Sequence, residues 1–126
     1  MAVHAARRTA PATDPGRVLT RAALRAAEIL DVPQRTLAEI IGVSASTISR
    51  AARAPLDPGS KPGQLAALWV RVFRSLDAIV GNDAAKVATW MSSYNQALNG
   101  VPRELIESPQ GLVMTLQYVD AMRATS

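Results

Sequence analysis

The stretch "QRTLAEIIGVSASTISRAAR", residues 34–53, constrains this chain more than any other feature. Apolar residues recur every third or fourth position, the spacing of a helix with one buried face. Gly42 interrupts that pattern, and a glycine accepts a positive φ without the penalty of a Cβ, so the chain can turn sharply and begin a second helix. Leu37, Ala38 and Ile41 fall on the inner side of a first short helix over 34–41, where the small Ala38 lets another helix cross closely. Val43 plugs the corner and Ser44 caps a second helix over 44–53. Ile48 turns back into the core, with Ala51 or Ala52 behind it. A chain built around this corner packs helix on helix.

What that second helix turns outward is Ala45, Ser46, Ser49, Arg50 and Arg53, with Thr47 at the margin, and no acidic residue stands between Ile40 and Arg53. Short hydroxyl side chains let a helix enter a groove of DNA and bond phosphates or base edges. An arginine such as Arg50 can grip O6 and N7 of a guanine with both arms of its guanidinium. Gln34 begins the first short helix, where the helix dipole favours a backbone phosphate. A solvated helical hairpin would explain the Gly, Ala and Ile spacing equally well; the acid-free face and Gln34 favour DNA. The pattern "Q-x-x-L-A-x-x-I-G-V-S-x-S-T-I-S-R" resembles the helix-turn-helix of phage-repressor-type, Xre-like regulators. On that resemblance the DNA-binding residues are Gln34, Ser44, Ser46, Thr47, Ser49, Arg50 and Arg53.

Charge agrees with this placement. Residues 1–62 carry nine Lys/Arg against five Asp/Glu, whereas residues 63–126 carry five of each, so all the excess positive charge sits with the corner. Attraction to phosphates would use that excess, although a solvated basic surface is the ordinary reading of such an asymmetry.

The rest of the sequence predicts an all-α chain of about seven helices. Asp14-Pro15 is a helix start, and "GRVLTRAALRAAEILD" places Val18, Ala22, Leu24, Ala27 and Ile29 near one side before Pro33. Residues 1–13 are expected to form a flexible tail: Arg7-Arg8 is followed by "TAPATDPG", not by the apolar segment of an export signal. "APLDPGSKPG", residues 54–63, holds three prolines and two glycines; it is a linker or an ordered loop, and it divides a module over 14–62 from a second over 63–126. There "QLAALWVRVFRSLDAIVG" carries Leu65, Leu68, Trp69, Val72, Phe73, Leu76, Ile79 and Val80 on one broad face. Gly81 ends this helix, Asn82 or Asp83 caps "DAAKVATWMSS", Asn99-Gly100 makes a turn, Pro102 begins "PRELIE", and a last helix starts near Pro109. Trp90 is expected to anchor the core, with its indole N–H on a backbone carbonyl.

Trp90, Asn95, Leu98, Gly100-x-Pro102, Leu105, Ser108 and the closing apolar helix resemble the toxin-binding domain of Xre/MbcA/ParS-type antitoxins. With the corner, the resemblance covers about residues 17–123. It implies a partner, a RES-domain toxin that consumes NAD or transfers parts of it, and repression of the pair's own promoter by the complex. It also implies that the final helix and tail reach towards the toxin's active site. By position these are Met114, Tyr118, Asp120, Met122, Arg123 and the tail Ala124-Thr125-Ser126. Useful specificity on DNA needs two copies on a repeated site, so a homodimer or a higher hetero-oligomer with the toxin is expected.

Other classes fit less well. The single histidine, His4, falls in the tail, cysteine is absent, and no glycine-rich phosphate loop is present. No catalytic residue, metal or cofactor is therefore expected, and Asp77, Asp83, Glu104 and Glu107 read as caps or solvated charges. No apolar run reaches the length of a membrane span, and the absence of cysteine fits a cytoplasmic protein. The rival reading is a stand-alone Xre-like transcriptional regulator whose C-terminal half only dimerises.

Overall fold

A computed structural model describes residues 14–125, and within them the chain is mostly helical, without strands. The tail expected over residues 1–13, His4 included, lies outside the described residues, as does Ser126. Seven helices follow one another among the described residues: α1 (Pro15–Ile29), α2 (Gln34–Ile41), α3 (Ala45–Ser49), α4 (Lys61–Ile79), α5 (Ala84–Ser92), α6 (Pro102–Leu105) and α7 (Pro109–Ala124). Short polar residues set most of the starts. Asp14, Ser44, Ser60, Asp83 and Ser108 each accept a backbone N–H from the first turn of the helix they precede, which satisfies donors with no partner inside the helix.

The corner forms as its sequence requires. α2 ends at Gly42 in the left-handed region, φ 75°, and the Gly42 N–H returns to the Ala38 carbonyl. Ser44 Oγ accepts from the Thr47 N–H at 3.1 Å. The second helix is shorter than expected: regular helix stops at Ser49, and residues 50–53 continue as tight turns with Arg53 N–H on the Arg50 carbonyl. Ser49 Oγ takes the Ser46 carbonyl at 3.0 Å, so a hydroxyl competes for the helix ladder. Ala54 precedes Pro55, which disfavours α backbone at that position.

α4 organises the rest. It packs against α1, α2, α5 and α7, and one hydrophobic core runs through all of them. Trp69 lies at its centre with no exposed surface, donating Nε1–H to the Ala23 carbonyl of α1 at 3.1 Å. The buried anchor is therefore Trp69, not Trp90. Trp90 is only half-buried, because Val87 and Met91, one helical turn apart, are the residues that α5 turns fully inward.

The inner face of α1 also differs from the expected one. Thr20, Ala23, Ala26 and Ala27 are buried while Val18 is 46% exposed. Thr20 goes inside because its hydroxyl is satisfied on both sides, donating to the Gly16 carbonyl at 2.7 Å and accepting from the Leu56 N–H at 2.9 Å. The second of these bonds ties residues 54–60 down as an ordered loop against α1.

Candidate functional site

Two surfaces carry the residues singled out from sequence. The first is the outward face of the corner. Gln34 opens α2 and is exposed, and Ser44, Ser46, Ser49, Arg50 and Arg53 are exposed along α3 and the turns after it, with Thr47 half-buried. The hydroxyls are not independent. Ser44 Oγ lies 3.1 Å from Ser46 Oγ and 2.9 Å from Thr47 Oγ1, so Ser44 serves as cap and as hub of a small hydroxyl cluster. Each of these oxygens retains acceptor capacity. The guanidiniums of Arg50 and Arg53 have no hydrogen bond or ion pair among the described residues, and the face is positive and uncommitted. Ile48 and Ala51 beneath it are buried and fix its orientation.

A second cationic feature beside this face does not announce itself in the sequence. Arg17 and Arg21 stand one turn apart on α1 and line a cleft with Ala51, Ala52 and Pro55 of the segment after α3. Their i, i+4 spacing is plain from the sequence alone; only the fold shows that α1 brings both residues against the end of the corner.

The second surface belongs to α5 and α7. Met114 is 40% exposed, and Tyr118, one turn on, is half-buried. The Tyr118 ring stacks on Trp90 with centroids 6.3 Å apart and planes 19° from parallel. Trp90 in turn lines an open groove of about 440 Å3 with Lys86, Thr89 and Ser93. Asp120 points elsewhere: it accepts from Arg71 Nη2 at 3.1 Å and from Ser75 Oγ at 2.9 Å, both on α4. Arg123 reaches the same serine through Nη1 at 3.5 Å. Met122 is half-buried. The structure thus stacks Tyr118 on Trp90 and turns Asp120 and Arg123 towards α4, so the residues expected to act together do not share one surface.

The segment joining α5 to α7 is held by its own polar groups. Asn95 and Gly100 exchange backbone hydrogen bonds at 2.8 and 3.2 Å, Asn99 takes the left-handed conformation at φ 57°, and Tyr94 donates its hydroxyl to Asn99 Oδ1 at 2.7 Å. At Gly111 a Cβ would overlap the Leu105 carbonyl, so glycine is what lets α7 start hard against α6. These residues build the surface; none of them is aimed into the groove.

Residues 9–71, half of the chain, match the family model of the antitoxin Xre-like helix-turn-helix domain. The chain belongs to that family of antitoxins. Residues 75–124 of the antitoxin match the Xre/MbcA/ParS C-terminal toxin-binding domain, which covers the whole of α5, α6 and α7. The two matches meet inside α4 (Lys61–Ile79), so the antitoxin's two modules share one helix. No curated protein matches the chain. No helix among the described residues is long and apolar enough to cross a membrane.

Proposed function

We propose that this antitoxin silences a RES-domain toxin through its α5–α7 half and represses its own promoter through the α2–α3 corner. It acts in the cytoplasm as a homodimer or as a larger assembly with the toxin, and it catalyses no reaction. The observation that carries this reading is the separation of two unlike surfaces around α4. One is cationic and rich in hydroxyls, with no acidic residue on α3 or the turns after it. The other is the stacked Trp90–Tyr118 pair beside a groove along α5, with Met114 exposed one turn before Tyr118 on α7, in a half of the chain with no net charge.

Each surface has its own physics of recognition. At the corner Gln34, Ser44, Ser46, Thr47, Ser49 and Arg53 position the helix on phosphates and base edges, and Arg50 is the guanine reader. On α7 Met114 and Tyr118 supply adaptable and aromatic contact. Affinity there comes from apolar burial rather than from long-range attraction. Met122, Asp120 and Arg123 act by holding α7 and its end in place, with Arg123 exposed enough to meet a carboxylate of the toxin as well.

Co-expression with the adjacent gene tests the reading. The expected result is rescue of growth from that gene's product and a complex that co-purifies. A chain that binds its promoter but neither rescues growth nor captures the neighbouring product is a stand-alone regulator, and the α5–α7 half then serves another purpose.

A further inference from the structure

The cleft between the first turns of α1 and the segment after α3 has a volume of about 140 Å3. At ~30 Å3 of liquid per water molecule, that is room for a few waters or for one tetrahedral oxyanion. Its chemistry is one-sided. Arg17 and Arg21 contribute two guanidiniums, while Leu24, Ala51, Ala52 and Pro55 contribute apolar wall and no carboxylate. Neither arginine side chain has a hydrogen bond or ion pair among the described residues, and Arg17 Nε is buried without a partner. Buried donors are normally paired, and leaving a charged one unpaired is costly. The wall is formed in advance: the Thr20 hydroxyl, between the two arginines in sequence, holds Leu56 and the loop after α3 against α1.

The placement says what would fill it. Ala51 and Ala52 follow directly on Arg50, and Arg53 comes next, so the cleft adjoins the carboxyl end of the reading helix. A helix in a major groove about 12 Å wide has a phosphate strand on either side of it. Gln34, at the amino end of α2, serves one strand. We propose that the Arg17–Arg21 cleft seats a backbone phosphate of the other. Guanidinium forks match a phosphate in two-point geometry, and the seat clamps α1 to DNA without reading sequence. This inference rests on the corner binding DNA.

The test is equilibrium binding of the full chain to its promoter duplex and to an unrelated duplex over a series of salt concentrations. With Arg17→Gln and Arg21→Gln together, both affinities should fall by the same factor. The log–log salt slope should shrink by about one for each phosphate that the protein no longer neutralises. Arg21→Gln alone removes an exposed side chain with no partner in the fold, so it should fold normally and move the slope in the same direction. Lysine at both positions should keep most of the slope. Arg74→Gln, which removes the same charge from an exposed position on α4 outside the cleft, should leave it unchanged. The cleft is overturned if the Gln variants keep the wild-type slope, if Arg74→Gln has an equal effect, or if the loss is confined to the promoter duplex. Failure of the wild-type chain to bind any duplex would instead overturn the DNA-binding reading and the cleft with it.

Discussion

The corner and the α5–α7 half use their polar groups in opposite ways. In α2 and α3 the arginines and the outer hydroxyl face are turned to solvent with spare bonding capacity. In the second half several of the comparable groups are tied within the molecule: Asp120 to Arg71 and Ser75, Arg123 to Ser75, Arg103 to the Asp31 carbonyl at 2.7 Å, Tyr94 to Asn99. Among what the second half leaves open are the aromatic and apolar side chains of Trp90, Tyr94, Val113 and Met114. A surface with unengaged hydrogen-bonding groups suits a polyanion covered in acceptors. A surface built on a stacked aromatic pair beside a largely apolar groove suits a protein partner that is recognised by shape and burial.

Trp69 marks where this contrast stops, since its ring stands on the helix both modules share. Trp69→Ala should destabilise the fold by about 3–5 kcal/mol, a large part of the ~5–15 kcal/mol that holds a domain of ordinary size. Chemical denaturation followed by helicity should show one cooperative transition moved to low denaturant, with DNA and toxin binding failing together. Two separate transitions, only one of them shifted, would break the picture of a single core.

Next in size is the aromatic pair. Trp90→Ala with Tyr118→Ala should weaken toxin binding by about 2 kcal/mol or more, as for the anchors of an interface, and should leave promoter binding as it was. Calorimetric titration with purified toxin reads the first and a gel titration the second. Arg50→Ala should do the reverse: promoter binding weakened by about 1–3 kcal/mol, little change on unrelated duplex, and none in toxin affinity. Equal weakening on both duplexes would reassign Arg50 to a phosphate.

Asp120→Asn should have the smallest effect. Its ion pair with Arg71 joins side chains that are 60% and 40% exposed, and such pairs contribute about 0–1 kcal/mol. A tenfold drop in toxin affinity with stability unchanged would show that Asp120 meets the toxin directly.

The corner is legible in sequence because its determinants are local. The Gly42 turn, the Ser44 cap and the alternation of Ile48 with outward residues all lie within one stretch of chain. Even there α3 ends short of the expected Arg53, since Ser49 bonding back to Ser46 is a choice between two carbonyl partners that composition does not reveal. The second half depends on pairs distant in sequence. Trp90 meets Tyr118, Trp69 meets Ala23, and Ser75 meets Asp120 only after α4 has docked. The expected anchor, Trp90, differs from the real one because the Trp69 indole finds its carbonyl on Ala23, a residue remote in sequence. Val18 is expected inside and found outside for a related reason: the burial of Thr20 depends on Leu56, which is remote in sequence.

The most direct measurement compares Arg50→Ala with the Trp90→Ala, Tyr118→Ala pair in the same two assays, promoter binding and growth rescue against the adjacent toxin gene, with helicity confirming that both are folded. The expected result is a crossed pattern in which the first variant rescues growth but releases the promoter, while the second holds the promoter but fails to rescue. If either folded variant loses both activities, or if the aromatic pair can be removed with full protection, the assignment of the two surfaces to two partners is contradicted.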